Sequence, residues 1–280
     1  MEAALYVVAT PIGNLGDISL RALDVLAGAE VVAAEDTRNT SHLLKHHGIF
    51  AKQLIAVHQH NERGAAEKLV AWIQSGQSVA FVSDAGTPAV SDPGALLVQA
   101  VLAAGLRVIP VPGASAAIAA LSASGLSAPH FLFYGFLPNK SAARRTALQA
   151  LSGHPYTLVF YEAPHRIVEC VADLCAVLGG ERQIVLAREV TKLFETIHAC
   201  KLTDAQAWLE SDHNQQRGEF VVLVSGAEPE EGLSAEALRT LHLLLEALPL
   251  KQAAQLAAKI TGANRSELYQ HALALKSSQE

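Results

Sequence analysis

The stretch "LYVVATPIGNLGD", residues 5–17, decides the fold. It opens as an apolar, β-branched run, breaks into proline, glycine and asparagine, and gives way to helical periodicity from Ile18 onward. A short apolar run cut by turn formers and followed by a helical pattern reads as the first strand, loop and helix of an α/β domain. The same unit recurs downstream. Strand patterns at 30–34, 54–57, 79–82 and 107–111 alternate with helical patterns around 20–27, 41–47, 65–75 and 93–104, and a last helix covers about 115–124. Such alternation predicts a mainly parallel sheet with helices on both faces.

The second half reads differently. Strands are expected at 131–135, 156–161, 183–189, 195–201 and 219–225, and the near-contiguous third and fourth imply a hairpin and so a mixed sheet. Thr203 with Gln206 has the spacing of a capping box. "SAPH" at 127–130 reads as a linker, and beyond the acidic "GAEPEEG" at 226–232 the pattern is purely helical. The expected organisation is therefore an N-terminal α/β domain at 1–127, a second α/β domain at 128–227 and a helical segment at 233–280. A length of 280 residues fits two domains of about 100–200 residues each with an appendage.

Half of the residues are apolar and 17% are charged, so sizeable cores can form. A net charge of −6 argues against a broad basic face that coats nucleic acid, while leaving room for a local basic patch. The three cysteines, Cys170, Cys175 and Cys200, match no metal or redox spacing, and their odd number argues against a disulfide framework. A reducing, cytoplasmic setting is expected, with no signal peptide. The uncharged run at 108–129 is interrupted by Pro110, Pro112 and Gly113, which favours a buried strand and helix over a membrane span. No membrane and no DNA partner is expected.

Four loops follow strands and are rich in glycine, proline and small polar residues: "PIGNLGD" from 11, "EDTRNT" from 35, "SDAGTPAVSDPG" from 83 and "PVPGASA" from 110. In a parallel sheet the carboxyl ends of the strands share one side, so these loops should converge on one binding rim. Neither the P-loop pattern nor G-x-G-x-x-G occurs there, which disfavours phosphate as the main handle. Loops this poor in cations suit an adenosine or amino-acid moiety held through backbone groups.

The segments "VATPIGNLGD", "AEDTRNT", "HQHNE", "VSDAGTPAVSDPG", "VIPVPGASA", "FYGFLP", "FYEAPHR" and "RGEFVVLV" occur in order across residues 5–225. Together they resemble the tetrapyrrole methylase superfamily, and within it the branch that methylates ribosomal RNA. That resemblance implies two α/β domains with S-adenosylmethionine in the cleft between them, and no metal. It implies a working homodimer and methylation of a cytidine 2′-hydroxyl in the decoding region of 16S ribosomal RNA, within the small ribosomal subunit. By position, cofactor contacts would fall on Ile12, Gly13 and Asn14, on Asp84, Ala85, Gly86 and Thr87, on Ser115 and Ala116, and on Tyr161 and Glu162. Porphyrinoid-modifying members often carry "GDP" where this chain has "SDAG". The departure favours RNA over a tetrapyrrole.

A ribose hydroxyl is a poor nucleophile at neutral pH, so a general base on the cofactor rim is expected to contribute about 10²- to 10⁴-fold. Asp36 is the first candidate, beside Glu35 and with Arg38 to orient it; Glu62, with His58, His60 and Asn61, forms a second group. "EDTRN" also has the composition of a helix N-cap. A metal at His58 and His60 is disfavoured because no third ligand follows at a recognisable spacing. For RNA, the cations expected to bind are Lys140, Arg144 and Arg145, with Arg166 of "YEAPHR", whose Glu162 and His165 could equally open a helix. Lys251, Lys259, Arg265 and Lys276 lie in a C-terminal pattern that resembles a helix-turn-helix, with Asn264 and Glu267 placed as a cap. Two other classes stay open: a methyltransferase of this fold acting on a tetrapyrrole or a protein side chain, and a non-catalytic RNA-binding protein.

Overall fold

A computed structural model of the chain describes residues 1–58, 61–126, 129–228, 233 and 235–277. The first two residues of the linker expected at 127–130, His60, most of the acidic stretch and the Lys276 side chain lie outside what is described. The chain divides into two compact units, Met1–Ala227 and Glu228–Glu280.

The first unit contains two five-stranded sheets. In the N-terminal sheet β1 (Leu5–Val8), β2 (Val31–Ala34), β3 (Leu54–Ala56), β4 (Val79–Val82) and β5 (Val108–Val111) run in the order β3-β2-β4-β1-β5, every pair parallel. The strands "VVAA" and "VAFV" are buried at all four positions, as strands covered on both faces must be. One layer of the core gathers Tyr6, Val8, Leu26 and Val82; the other gathers Leu5, Leu69, Phe81 and Leu97. The covering helices are α1 (Leu20–Gly28), α2 (Thr37–His46), α3 (Glu62–Gln74), α4 (Ala95–Ala103) and α5 (Ala116–Ala123). Helix α2 begins four residues before the expected start at 41, because Asp36 turns its carboxylate onto the Arg38 N–H at 2.8 Å and opens the helix there.

The second sheet, β6 (Phe131–Phe136), β7 (Thr157–Glu162), β8 (Gln183–Arg188), β9 (Thr196–Lys201) and β10 (Phe220–Val224), has the order β6-β7-β10-β8-β9. Only β6 and β7 pair in parallel, and β8 with β9 forms the expected hairpin. Helices α6 (Ser141–Leu151), α7 (Ile167–Leu178) and α8 (Leu202–Ser211) cover one face. The capping box does not form: α8 starts at Leu202, so Thr203 already lies in its first turn, and Gln206 bonds forward to Glu210 instead.

Between Phe133 and Gly135 the β6 register slips, and Gly135 adopts φ +81°. A Cβ there would sit 2.7 Å from Ser91 Oγ, so only glycine lets the loop after β4 press against the second sheet. That contact closes one side of the cavity described below.

The second unit holds α9 (Ala235–Leu245), α10 (Leu250–Thr261) and α11 (Arg265–Ser277), packed through Ala237, Leu241, Ala253, Ala257 and Leu268. Gly262 takes the left-handed cap after α10, and the Asn264 side chain accepts the Ser266 N–H at 2.8 Å to start α11. No described helix is long and apolar enough to cross a membrane.

Candidate active site

The loops after β1, β4 and β5 are locked to one another. Thr10 and Gly86 exchange backbone hydrogen bonds of 2.9 and 3.0 Å, and the Thr87 hydroxyl donates to the Ala114 carbonyl at 3.2 Å. They border a cavity of about 300 Å³ whose opposite wall comes from the second sheet. Of the expected cofactor contacts, Ile12, Ala85, Gly86, Thr87, Ser115 and Ala116 line it from one side, and Tyr161 and Glu162 from the other. Gly13, Asn14 and Asp84 stand outside that lining and support it. A Cβ on Gly13 would meet Lys192 Cγ at 2.4 Å, Asn14 caps the turn at Gly16, and Asp84 accepts from the Asp36 N–H and the Asn39 amide at 3.1 and 3.0 Å.

The floor is apolar, built from Ile12, Ala116, Ala187, Val190 and Val221. Its charged residues are four carboxylates, Asp92, Glu162, Glu189 and Glu219, against one cation, Lys192, among the described residues. Lys192 Nζ lies 2.8 Å from Glu189 and 2.7 Å from Glu219; burial works to lower its pKa, but the two carboxylates outweigh it and hold the ammonium above its usual value. The loop carrying Glu189 and Lys192 is strained, with Glu189 and Thr191 at φ +51° and +70°. An acidic, partly apolar cavity suits a ligand carrying positive charge and an aromatic ring, and repels phosphate. S-adenosylmethionine, with its sulfonium, ammonium and adenine, has that chemistry.

The expected bases are placed differently from one another. Glu62 is 6% exposed, and its Oε1 accepts the N–H groups of Gly94, Leu96 and Leu97 at 3.0, 2.9 and 3.2 Å. It is a structural acceptor at the start of α4, committed to three donors, and this corrects its assignment as a base. Asp36 caps α2 and pairs with Arg38 at 2.6 Å; hydrogen bonds from the Arg38 side chain and backbone hold its pKa at about 2. A carboxylate so stabilised takes a proton poorly at neutral pH. Asn61 accepts the His58 N–H at 2.8 Å.

Asp92 was not foreseen. It lines the cavity, and burial first, then the charges of Glu35 and Asp84, push its pKa up to about 6, with the Ser83 hydroxyl opposing. Glu35 is raised too, by burial and by Asp84 and Asp36. Tyr161 accepts the Ala117 N–H at 3.3 Å, and its phenol is pushed up by burial and by Asp92. In sequence Asp92 sits in "SDPG", where it reads as a turn former; the only available signal was its place in a rim loop.

The expected RNA cations also need correction. Arg144 is fully buried: its Nε donates to Asp173 at 2.7 Å, and its Nη1 faces the carbonyls of Pro138 and Asn139 at 3.4 and 3.3 Å. Arg166 is largely enclosed, pairing with Glu162 at 3.2 Å and donating to the Leu137 carbonyl at 2.7 Å. Both tie α6, α7 and the end of β6 together, so neither is free to meet a phosphate. Arg145 is half exposed but bound to Asp173 at 2.5 Å, and Lys140 is exposed. Lys251, Lys259 and Arg265 are exposed on the second unit.

Residues 4–206 match the family of tetrapyrrole (corrin/porphyrin) methylases, and residues 231–276 match the family described as the RsmI C-terminal HTH domain. The chain is 57% identical over 272 residues to a ribosomal RNA small subunit methyltransferase I of Pseudomonas aeruginosa, covering 96% of each chain. It is 52% identical to the protein of that name in Escherichia coli O157:H7, over 97% of this chain and 95% of the relative. Among solved structures, a uroporphyrin-III C-methyltransferase from Thermus thermophilus complexed with S-adenyl homocysteine has the same fold, with a TM-score of 0.54 at 19% identity over 79% of this chain and 96% of that one.

Proposed function

Because the chain belongs to the tetrapyrrole methylase family, we propose that its cavity binds S-adenosylmethionine and that the protein methylates the small-subunit ribosomal RNA, at the 2′-hydroxyl of a cytidine in the decoding region. The single observation that carries the reading is the cavity itself, with its glycine-rich rim loops, acidic lining and half-buried Asp92. High identity to small-subunit RNA methyltransferases over nearly the whole chain supports the substrate class.

When bound, S-adenosylmethionine supplies a methyl carbon activated by a positively charged sulfur. The chain's own task is alignment: Thr87, Ser115 and the Gly86 turn border one side, and Tyr161 with the apolar floor excludes water from the other. Asp92, on the cavity wall, would accept the proton of the attacking 2′-hydroxyl, while the bound cofactor would supply the electrophilic methyl group and a neutral thioether as the leaving group. A pKa of about 6 leaves that carboxylate ionised at neutral pH yet basic enough to accept. Glu189 and Glu219 more than neutralise Lys192, so the lining stays net acidic, as would suit a positively charged ligand.

The proposed working form is a cytoplasmic homodimer that acts on the RNA within the small ribosomal subunit. The dimer rests on the family resemblance and on exposed apolar side chains such as Ile118 and Phe131. The test is nucleoside mass spectrometry of 16S RNA from cells with and without the gene. Loss of one 2′-O-methylcytidine supports the proposal, and an unchanged nucleoside profile refutes it.

A further inference from the structure

Arg144 and Arg166 are taken by internal pairs and Arg145 is bound to Asp173, which leaves Lys140 as the one unpaired cation of the expected set and directs attention to basic residues elsewhere. Between Asp36 and Glu62 the chain has no acidic residue, although its net charge is −6; the same stretch carries Arg38, Lys45, Lys52 and several histidines. The first part of this stretch is α2. At 100° per residue Arg38, His42, Lys45 and His46 fall within an arc of about 100°, and all four are exposed, while Thr40, Leu43 and Leu44 turn to the core. Just beyond the helix stands Phe50, 89% exposed. An aromatic so bare next to a basic face has no packing role in this unit.

The position of that face relates it to the cavity. Asp84 holds the first turn of α2 through the Asp36 N–H and the Asn39 amide at 3.1 and 3.0 Å, and the next residue, Ala85, lines the cavity. A helix of 10 residues is about 15 Å long, so the basic arc runs from the cavity rim outward over a distance that several nucleotides span. Arg38 is partly neutralised by Asp36, which leaves Lys45 as the main fixed charge of the outer part.

We propose that the exposed face of α2, ending on Phe50, is the track that holds the RNA strand flanking the target nucleotide, with Lys45 on a phosphate and Phe50 stacked on an unpaired base. Cations that follow a backbone, combined with an aromatic platform, are the means by which proteins hold single strands without reading their sequence. The inference rests on the proposed substrate class, and it adds which surface meets that substrate.

The test uses the full chain and a labelled RNA oligonucleotide covering the decoding region, with affinity measured across a salt series and S-adenosylmethionine binding measured in parallel. Lys45→Gln should lower the slope of log affinity against log salt by about 0.7, and Lys45→Glu should lower it further. Phe50→Ala should weaken binding about five-fold or more with the slope unchanged. Cofactor affinity should stay at the wild-type value in all three. Wild-type RNA affinity and slope in the Lys45 variants, or wild-type affinity in Phe50→Ala, overturns the track. Weakened binding to assembled subunits with unchanged binding to the oligonucleotide assigns the face to a protein partner and also overturns it. Methylation by the wild-type protein is scored separately, so failure of the proposed activity is distinguishable from failure of the track.

Discussion

Arg144 donates to Asp173 across 2.7 Å with side-chain exposures of 0% and 4%, so the central cation of the basic segment at 139–145 is internal architecture. Asp173 also accepts from Arg145 and from the Ser141 hydroxyl, at 2.5 and 3.0 Å, and these donors hold its pKa down against its own burial. Removing one partner of a buried pair strands the other's charge. Arg144→Ala is expected to destabilise the protein by about 3–5 kcal/mol, read as a lower urea midpoint. Under conditions where it remains folded, its RNA affinity should keep the wild-type salt slope. A stable variant with a reduced slope would restore Arg144 as an RNA contact.

Asp92→Asn should abolish most turnover, by about 10²-fold or more, while S-adenosylmethionine and RNA still bind. The sign of the pH dependence follows from the raised pKa. The carboxyl is protonated, and unable to accept a proton, below about pH 6, so kcat/KM in the wild type should fall as pH drops through that value. Ionised Asp92 costs stability at higher pH, so the asparagine variant should unfold at no lower temperature than the wild type at pH 8. A wild-type rate in Asp92→Asn rules out its role as the proton acceptor.

Glu62→Gln retains an oxygen that can accept from Gly94, Leu96 and Leu97, so turnover should stay within a few-fold of wild type. Glu62→Ala leaves those three N–H groups without their acceptor and should cost about 1–3 kcal/mol of stability. Thermal unfolding and initial rates of both variants check this; inactivity of a stable Glu62→Gln would reinstate it as a catalytic group.

Asp36→Asn keeps a good N-cap, since asparagine caps as well as aspartate. With the capping oxygen preserved, methyl transfer under saturating conditions should be near the wild-type rate. A loss of 10²-fold or more at unchanged affinity would show that Asp36 acts on the reacting hydroxyl after all.

Cofactor binding is best probed at Ala116, which opens α5 and lines the cavity. Ala116→Leu fits a helix and should weaken S-adenosylmethionine binding by 10-fold or more, at about 1.4 kcal/mol per decade, with the fold intact. Gly86→Val is a poorer probe. Gly86 sits at φ +79° in the bridge to Thr10, so any side chain there is strained apart from the space it fills. Calorimetry with the unfolding temperature measured alongside separates the two effects.

Local pattern was enough to determine the parallel sheet, the mixed sheet, the helical end and the rim on which four loops converge. A strand such as "VAFV" or a loop such as "PIGNLGD" expresses its preference within a few residues, and in a parallel sheet connectivity alone places the carboxyl ends of the strands together. The tertiary structure decided what each charged side chain does. Arg144 is taken by a carboxylate 29 residues away, Glu62 by amides 32 to 35 residues away, and Asp92 owes its raised pKa to burial and to Glu35 on another strand's loop. A charge carries no periodic signature of its partner, and its role is fixed by desolvation and by whichever groups long-range packing sets beside it. That is why Arg144, at the centre of a basic cluster in the sequence, became a buried tie, and a turn aspartate one of the carboxylates of the cavity.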